Sequence, residues 1–346
     1  MSRITSLVRP NIAALAPYST ARDEYDGPLG IYLDANENPY GNGYNRYPDP
    51  HQAVLKARIC EVKGFQRENL FLGNGSDEAI DLVFRIFCTP GRDNAVIISP
   101  SYGMYTVAAA INDVAVRSVR LGEDFSLDTE FLLGACDPAT KLILLCSPNN
   151  PSGNAFPKRQ LLDICERFSG IVVVDEAYVD FSGQGSLADE AMARDNLIVL
   201  QTLSKARGMA GLRIGMAISS AEIIRLMSQV KYPYNLSRAA MEKAMVLLET
   251  PVDGQVQTLI RERARLASCL PGFPFVRKVF PSDANFLLVR VDDADALYAY
   301  LLTQGIIVRN RSRVAGCDAC LRLTVGLPEE NDRLLNAMES YDNDNK

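Results

Sequence analysis

Lys205 stands just beyond the apolar run Leu197–Gln201, at the end of Thr202-Leu203-Ser204-Lys205. Asp175 closes a second run, Ile171–Val174, and leads into Glu176-Ala177-Tyr178, while Leu142–Cys146 delivers Ser147-Pro148-Asn149-Asn150-Pro151-Ser152-Gly153. A carboxylate directly after four buried aliphatic residues is costly to desolvate unless it meets a cation. Taken alone, Asp175 could equally cap a helix or pair with a nearby arginine, and Lys205 alone would read as a surface lysine. Their company changes that reading. Ser204 and Thr202 precede the lysine, and Arg213 follows in Gly211-Leu212-Arg213-Ile214-Gly215. Gly73-Asn74-Gly75-Ser76-Asp77-Glu78 is a glycine-rich turn opening a helix, where free backbone N–H groups and the helix dipole favour a phosphate.

One chemistry uses all of these parts. A pyridoxal phosphate site needs a lysine for the internal imine, an acid to keep the pyridine nitrogen protonated, and several donors for a dianionic phosphate. The glycine-rich turn lacks the third glycine of a dinucleotide fingerprint and the Gly-Lys-Ser/Thr of a P-loop, so neither nucleotide site is supported. Cys317 and Cys320 form the one C-x-x-C pair, and His51 is the only histidine, so a zinc site lacks ligands.

The elements that must position these residues are legible as a rhythm. Ala95–Ser99, Leu142–Cys146, Ile171–Asp175, Leu197–Gln201 and Ile214–Ile218 are short apolar runs of the kind found in parallel strands covered on both faces. Helical spacing over Asp77–Phe87, Pro157–Phe168 and Ala221–Val230 separates them. An α/β fold follows: a large domain with a mostly parallel sheet covered by helices, over residues 41–270, in which ligands gather at the carboxyl ends of strands. Residues 235–270 read as connector helices broken near Pro251 and Gly254. A smaller α+β domain over residues 271–346 is expected from a strand at Phe286–Val291, a helix at Ala294–Thr303, short strands at Ile306–Arg309 and Leu321–Val325, and a final helix. Residues 1–40 are expected to pack on that small domain as an arm.

Composition narrows the classes. With 346 residues, 47% hydrophobic and a formal charge of -6, the chain reads as a folded acidic protein whose charge does not favour a nucleic-acid partner. No run reaches the ~20 apolar residues that span a bilayer. Eight cysteines scattered through apolar segments suit reduced thiols, so a cytoplasmic location is expected.

In their order along the chain, Asn36-Glu37-Asn38-Pro39, Tyr47-Pro48-Asp49, the turn at residues 73–78, Pro100-Ser101-Tyr102, the Ser147–Gly153 segment, Asp175-Glu176-Ala177-Tyr178, Ser204-Lys205 and Arg213 resemble the motifs of fold-type I aminotransferases. Pro17-Tyr18, Gly305-Ile306-Ile307-Val308-Arg309 and Leu321-Arg322-Leu323-Thr324-Val325-Gly326 are similar to substrate-binding segments of the histidinol-phosphate aminotransferases. The resemblance implies that Tyr102 stacks on the cofactor ring while Asn150 and Tyr178 bond its phenolic oxygen. It implies that Ser76, Asp77, Thr202, Ser204 and Arg213 surround its phosphate, with Tyr47 reaching in from the second subunit of a homodimer. Arg309 and Arg322, assisted by Tyr18 and Asn36, would receive the phosphate of histidinol phosphate or the carboxylates of glutamate. Arg322 lies between two leucines and must leave its strand on the opposite face.

The implied reaction exchanges an amino group between histidinol phosphate and 2-oxoglutarate, with Lys205 moving the proton, Asp175 supporting the electron sink and Tyr178 beside the ring. Threonine-phosphate decarboxylases resemble the same family closely, and an aromatic amino acid aminotransferase is a further alternative on this fold. A non-enzymatic regulator would carry added DNA-binding sequence or lack the lysine. Arg207 and the Cys317–Cys320 segment have no function in this reading.

Overall fold

The computed structural model describes residues 3–18, 20, 24 and 30–344. It forms two compact units, Met1–Thr89 with Ala188–Thr250, and Pro90–Leu187 with Pro251–Lys346. The first unit holds a run of three paired strands, and the second holds a run of four together with a separate small sheet.

In the first unit, β1 is Leu70–Asn74, β6 is Leu197–Thr202 and β7 is Ile214–Ile218. Strand β7 is central and antiparallel to both neighbours. Every residue of β6 and β7 is buried, which is why they read as unbroken apolar runs. The helix Gly75–Phe87 leaves β1 at once and buries Ala79, Ile80, Val83 and Phe87 at helical spacing. The N-terminal stretch is anchored within this unit. The Arg9 backbone N–H donates to the Ile86 carbonyl at 2.9 Å, its guanidinium donates to the Arg85 carbonyl at 2.9 Å, and the Gln229 amide donates to the Leu15 carbonyl. Residues 1, 2, 19, 21–23 and 25–29 of the expected arm lie outside the described residues.

In the second unit, β2 (Asn94–Ser99), β3 (Ala115–Arg120), β4 (Thr140–Cys146) and β5 (Ile171–Asp175) lie in the order β5-β4-β2-β3, all parallel. The polar segments after β4 and β5 therefore emerge at the same carboxyl edge. A separate antiparallel sheet follows in the order β10-β11-β9-β8, from β8 (Val276–Val279), β9 (Phe286–Val291), β10 (Arg309–Asn310) and β11 (Cys320–Thr324). Its buried face, with Leu287, Val289, Leu321 and Leu323, packs on Leu297 and Leu301 of the helix Ala294–Thr303 and on Leu334 and Met338 of the last helix. The strand expected over Ile306–Arg309 is confined to Arg309–Asn310, because pairing begins only where Arg309 meets Arg322 on β11. No helix among the described residues is long and apolar enough to cross a membrane.

Candidate active site

The first unit brings Ser76, Asp77, Thr202, Ser204, Lys205 and Arg213 to one end of β1-β7-β6. Gly75, at φ +72°, makes the turn from β1 into the helix, and its N–H donates to the Arg213 carbonyl at 2.7 Å. Gly215 on β7 presses on that turn so closely that an added Cβ would lie 2.0 Å from the Ser76 nitrogen. Arg213, itself in the left-handed region at φ 55°, extends Nη2 to Asp77 Oδ2 at 3.3 Å. This ion pair is half-exposed and adds little stability. Its effect is positional, since it holds the guanidinium above the turn, 2.7 Å from where a Cβ on Gly75 would be.

The lysine is set by a second tight turn. Thr202 Oγ1 accepts the Ser204 N–H at 3.0 Å, Leu203 N–H donates to the Ile214 carbonyl at 3.0 Å, and Gly208 N–H donates to the Lys205 carbonyl at 3.0 Å. Thr202 thus fixes the loop that carries Ser204 and Lys205, whose side chain is exposed. Two residues outside the expected set brace the cradle: Glu78 Oε2 accepts the Asn74 N–H at 2.5 Å and the Asn235 amide at 2.9 Å, and Asn235 also donates to the Leu72 carbonyl. A helix start, two hydroxyls, a guanidinium and a glycine without a Cβ fit a phosphate group.

In the second unit, Asp175 is 3% exposed at the end of β5. Its Oδ2 accepts the Tyr105 hydroxyl at 2.8 Å and its Oδ1 accepts the Ala177 N–H at 3.1 Å. Burial first, then the Asp175 charge, pushes the Tyr105 hydroxyl well above the usual phenol range, so it remains a donor. Tyr102 meets Tyr105 edge-on, with ring centroids 5.7 Å apart. Asn149, fully buried, donates to the Pro100 carbonyl at 3.0 Å and to Ser152 Oγ at 2.7 Å, while Ser101 donates to its Oδ1. That amide ties the loop bearing Tyr102 to the loop bearing Asn150. Burial also raises the Cys146 thiol beside Asp175.

A second chain of contacts begins at Arg322. Its Nη1 donates to Asn150 Oδ1, and the Asn150 amide lies 3.4 Å from the Tyr178 hydroxyl. Arg322 also lies over the Phe286 ring at 5.2 Å, and Tyr178 meets the same ring edge-on. Leu321 and Leu323 are buried on the other side of β11, and Arg309 is the register partner of Arg322. Burial lowers the Arg322 guanidinium, and the neighbouring Arg309 adds to this.

Tyr47 and Asn36 share a cavity of about 460 Å³ in the first unit, where Tyr47 stacks on Tyr234 at 4.5 Å and its N–H donates to Glu37. Tyr18 lines a different cavity of the same unit with His51, Lys56 and Arg225, so it is not brought to Asn36 there. Arg207 Nη1 donates to the Thr250 carbonyl at 3.5 Å. Cys317 and Cys320 are buried, and burial raises both thiols, to about 12 for Cys317.

The model of the family "Aminotransferase class I and II" matches residues 31–338. A histidinol-phosphate aminotransferase of Parabacteroides distasonis is 55% identical over 98% of this chain and 99% of its own length. The crystal structure of the histidinol-phosphate aminotransferase from Clostridium acetobutylicum superposes with a TM-score of 0.79 at 25% identity, covering 86% of this chain and 91% of that one. The Sinorhizobium meliloti enzyme, solved in complex with pyridoxal-5'-phosphate, has the same TM-score at 23% identity, over 87% of this chain and 84% of its own. By the family match over residues 31–338 and the 55% identity along nearly the whole chain, the protein belongs to the class I and II aminotransferases, among the histidinol-phosphate aminotransferases.

Proposed function

We propose that this protein moves the amino group of histidinol phosphate to 2-oxoglutarate, using pyridoxal phosphate attached at Lys205. The observation that carries the reading is the buried Asp175 carboxylate, whose orientation is set by Tyr105 and Ala177 and which suits a protonated pyridine nitrogen. Bound cofactor would supply the electron sink for the donor's Cα. Lys205 Nζ would hold the cofactor and, as a free amine, would move the proton at the donor's Cα. Ser76, Asp77, Thr202, Ser204 and Arg213 hold the phosphate corner, Tyr102 covers the ring, and Asn150 and Tyr178 hold its phenolic oxygen. Arg309 and Arg322 receive the anionic end of either substrate, assisted by Tyr18 and Asn36. In this proposal residues 41–270 form the cofactor domain, residues 271–346 form the substrate-facing one, and the enzyme works in the cytoplasm.

The enzyme is proposed to be a homodimer in which Tyr47 completes the partner's phosphate site. Support comes from the exposed apolar side chains of Tyr40, Tyr44, Tyr47 and Val54, at 84%, 61%, 50% and 68%, and from a cavity of about 330 Å³ beside them that includes Met241 and Met245. The test is to follow glutamate formation from histidinol phosphate and 2-oxoglutarate with purified, yellow protein. Parallel lines in a two-substrate analysis are expected. Carbon dioxide release from threonine phosphate without amino transfer would replace the reading with that of a decarboxylase.

A further inference from the structure

Three arginines share one face of the C-terminal sheet, and among the described residues no acid pairs with them. Arg309 lies opposite Arg322, and the ladder continues as the Arg311 N–H donates to the Cys320 carbonyl at 2.8 Å. Alternation along the strand therefore puts Arg311 on the same face as Arg309. Among the described residues none of the three guanidiniums makes a salt bridge, and Asp295, in the first turn of the helix Ala294–Thr303, accepts the Asn310 amide at 2.6 Å. Burial lowers the Arg311 guanidinium, and the charges of Arg322 and Arg309 lower it further. Among the described residues, Arg311 Nε and Arg322 Nε are buried without a hydrogen-bond partner. Buried, mutually repelling donors of this kind are costly unless an anion completes them.

We propose that Arg311 joins Arg309 and Arg322 in a three-arginine receptor for the donor's phosphate, and so acts as a specificity-determining residue. The inference rests on the proposed amino donor. A phosphate monoester carries about -1.5 to -2 charge at neutral pH and three acceptor oxygens, against a single charge on a carboxylate. Two arginines suffice for a glutamate carboxylate. The third is matched only by the phosphate, so Arg311 separates the two half-reactions that Arg309 and Arg322 serve in common.

The test compares Arg311→Gln, Arg311→Lys and Arg322→Ala in the holoenzyme, with histidinol phosphate, unphosphorylated histidinol and glutamate as donors. Arg311→Gln should lower kcat/KM for histidinol phosphate about 10- to 100-fold, leave histidinol and glutamate near native, and be partly restored by Arg311→Lys. Inorganic phosphate should raise the Tm of the native protein more than that of Arg311→Gln. Equal losses with phosphorylated and unphosphorylated donors would show that Arg311 supports the fold, and a native response in Arg311→Gln beside a selective loss in Arg322→Ala would leave a two-arginine site. If native enzyme ignores histidinol phosphate, the donor assignment fails on its own; the phosphate-dependent Tm then decides Arg311, and equal stabilisation of both proteins overturns the receptor.

Discussion

Replacing Tyr105 by phenylalanine removes one oxygen atom from the protein interior. The ring is fully buried, so the phenyl group keeps its packing and its edge-on contact with Tyr102, while Asp175 Oδ2 loses the hydroxyl donor 2.8 Å away. A hydrogen bond to a charged group contributes about 1.5–3 kcal/mol, which corresponds to a rate factor of roughly 10 to 150 if the ionised carboxylate is needed in the transition state. On the proposed assignment, Asp175 with less stabilisation of its charge would compete harder for a proton shared with the pyridine nitrogen. The ring would then be a weaker electron sink, and the attachment at Lys205 would keep its proton to higher pH. Tyr105→Phe should therefore lower kcat by one to two orders of magnitude, move the pH midpoint of the visible absorption band upward, and hasten loss of cofactor on dialysis. Because the Tyr105 hydroxyl is pushed far above the phenol range, the defect should be constant through neutral and mildly alkaline pH. A variant with native rate and an unmoved spectral midpoint would show that the hydroxyl serves packing alone.

Lys205→Ala should abolish turnover while the protein still folds, and borohydride should no longer fix cofactor to the chain; recovery of the label on another lysine would refute the assignment. Asp175→Asn should depress kcat further than Tyr105→Phe, since it removes the buried charge itself, and should affect cofactor retention less than rate. Near-native turnover in that variant would mean that another group serves the pyridine nitrogen.

Local pattern made much of this fold legible. Phe286–Val291 and Ala294–Thr303 coincide with the observed strand and helix, and the apolar runs ending at Cys146, Asp175 and Ile218 end where those strands do. The flanking strands were not legible for a physical reason. In β3 only Val119 is buried, so Arg117 and Arg120 mask the pattern, as charged residues do on edge strands. In the site, the alternation Leu321-Arg322-Leu323 already sets the arginine on the face away from the core. The contact between Tyr105 and Asp175 spans 70 residues, and Tyr105 reads in sequence as one more apolar position of its helix. Arg311 and Asn149 were hidden in the same way: their importance depends on what tertiary structure brings beside them.

The contact between Gly215 and the Ser76 backbone has a consequence for variation in this enzyme. All nineteen other amino acids bring a Cβ, and that atom would fall 2.0 Å from Ser76 N and 2.3 Å from the Gly75 carbonyl carbon, both backbone atoms that cannot swing aside. Polarity, charge and size are therefore irrelevant at position 215, and alanine should be as inadmissible as tryptophan. In a saturation library selected for growth without histidine, this position should appear as a single surviving letter, although it touches no reacting atom and offers no functional group. Compensation would have to come from moving the start of the helix at Gly75, which would carry Ser76 and Asp77 away from Arg213.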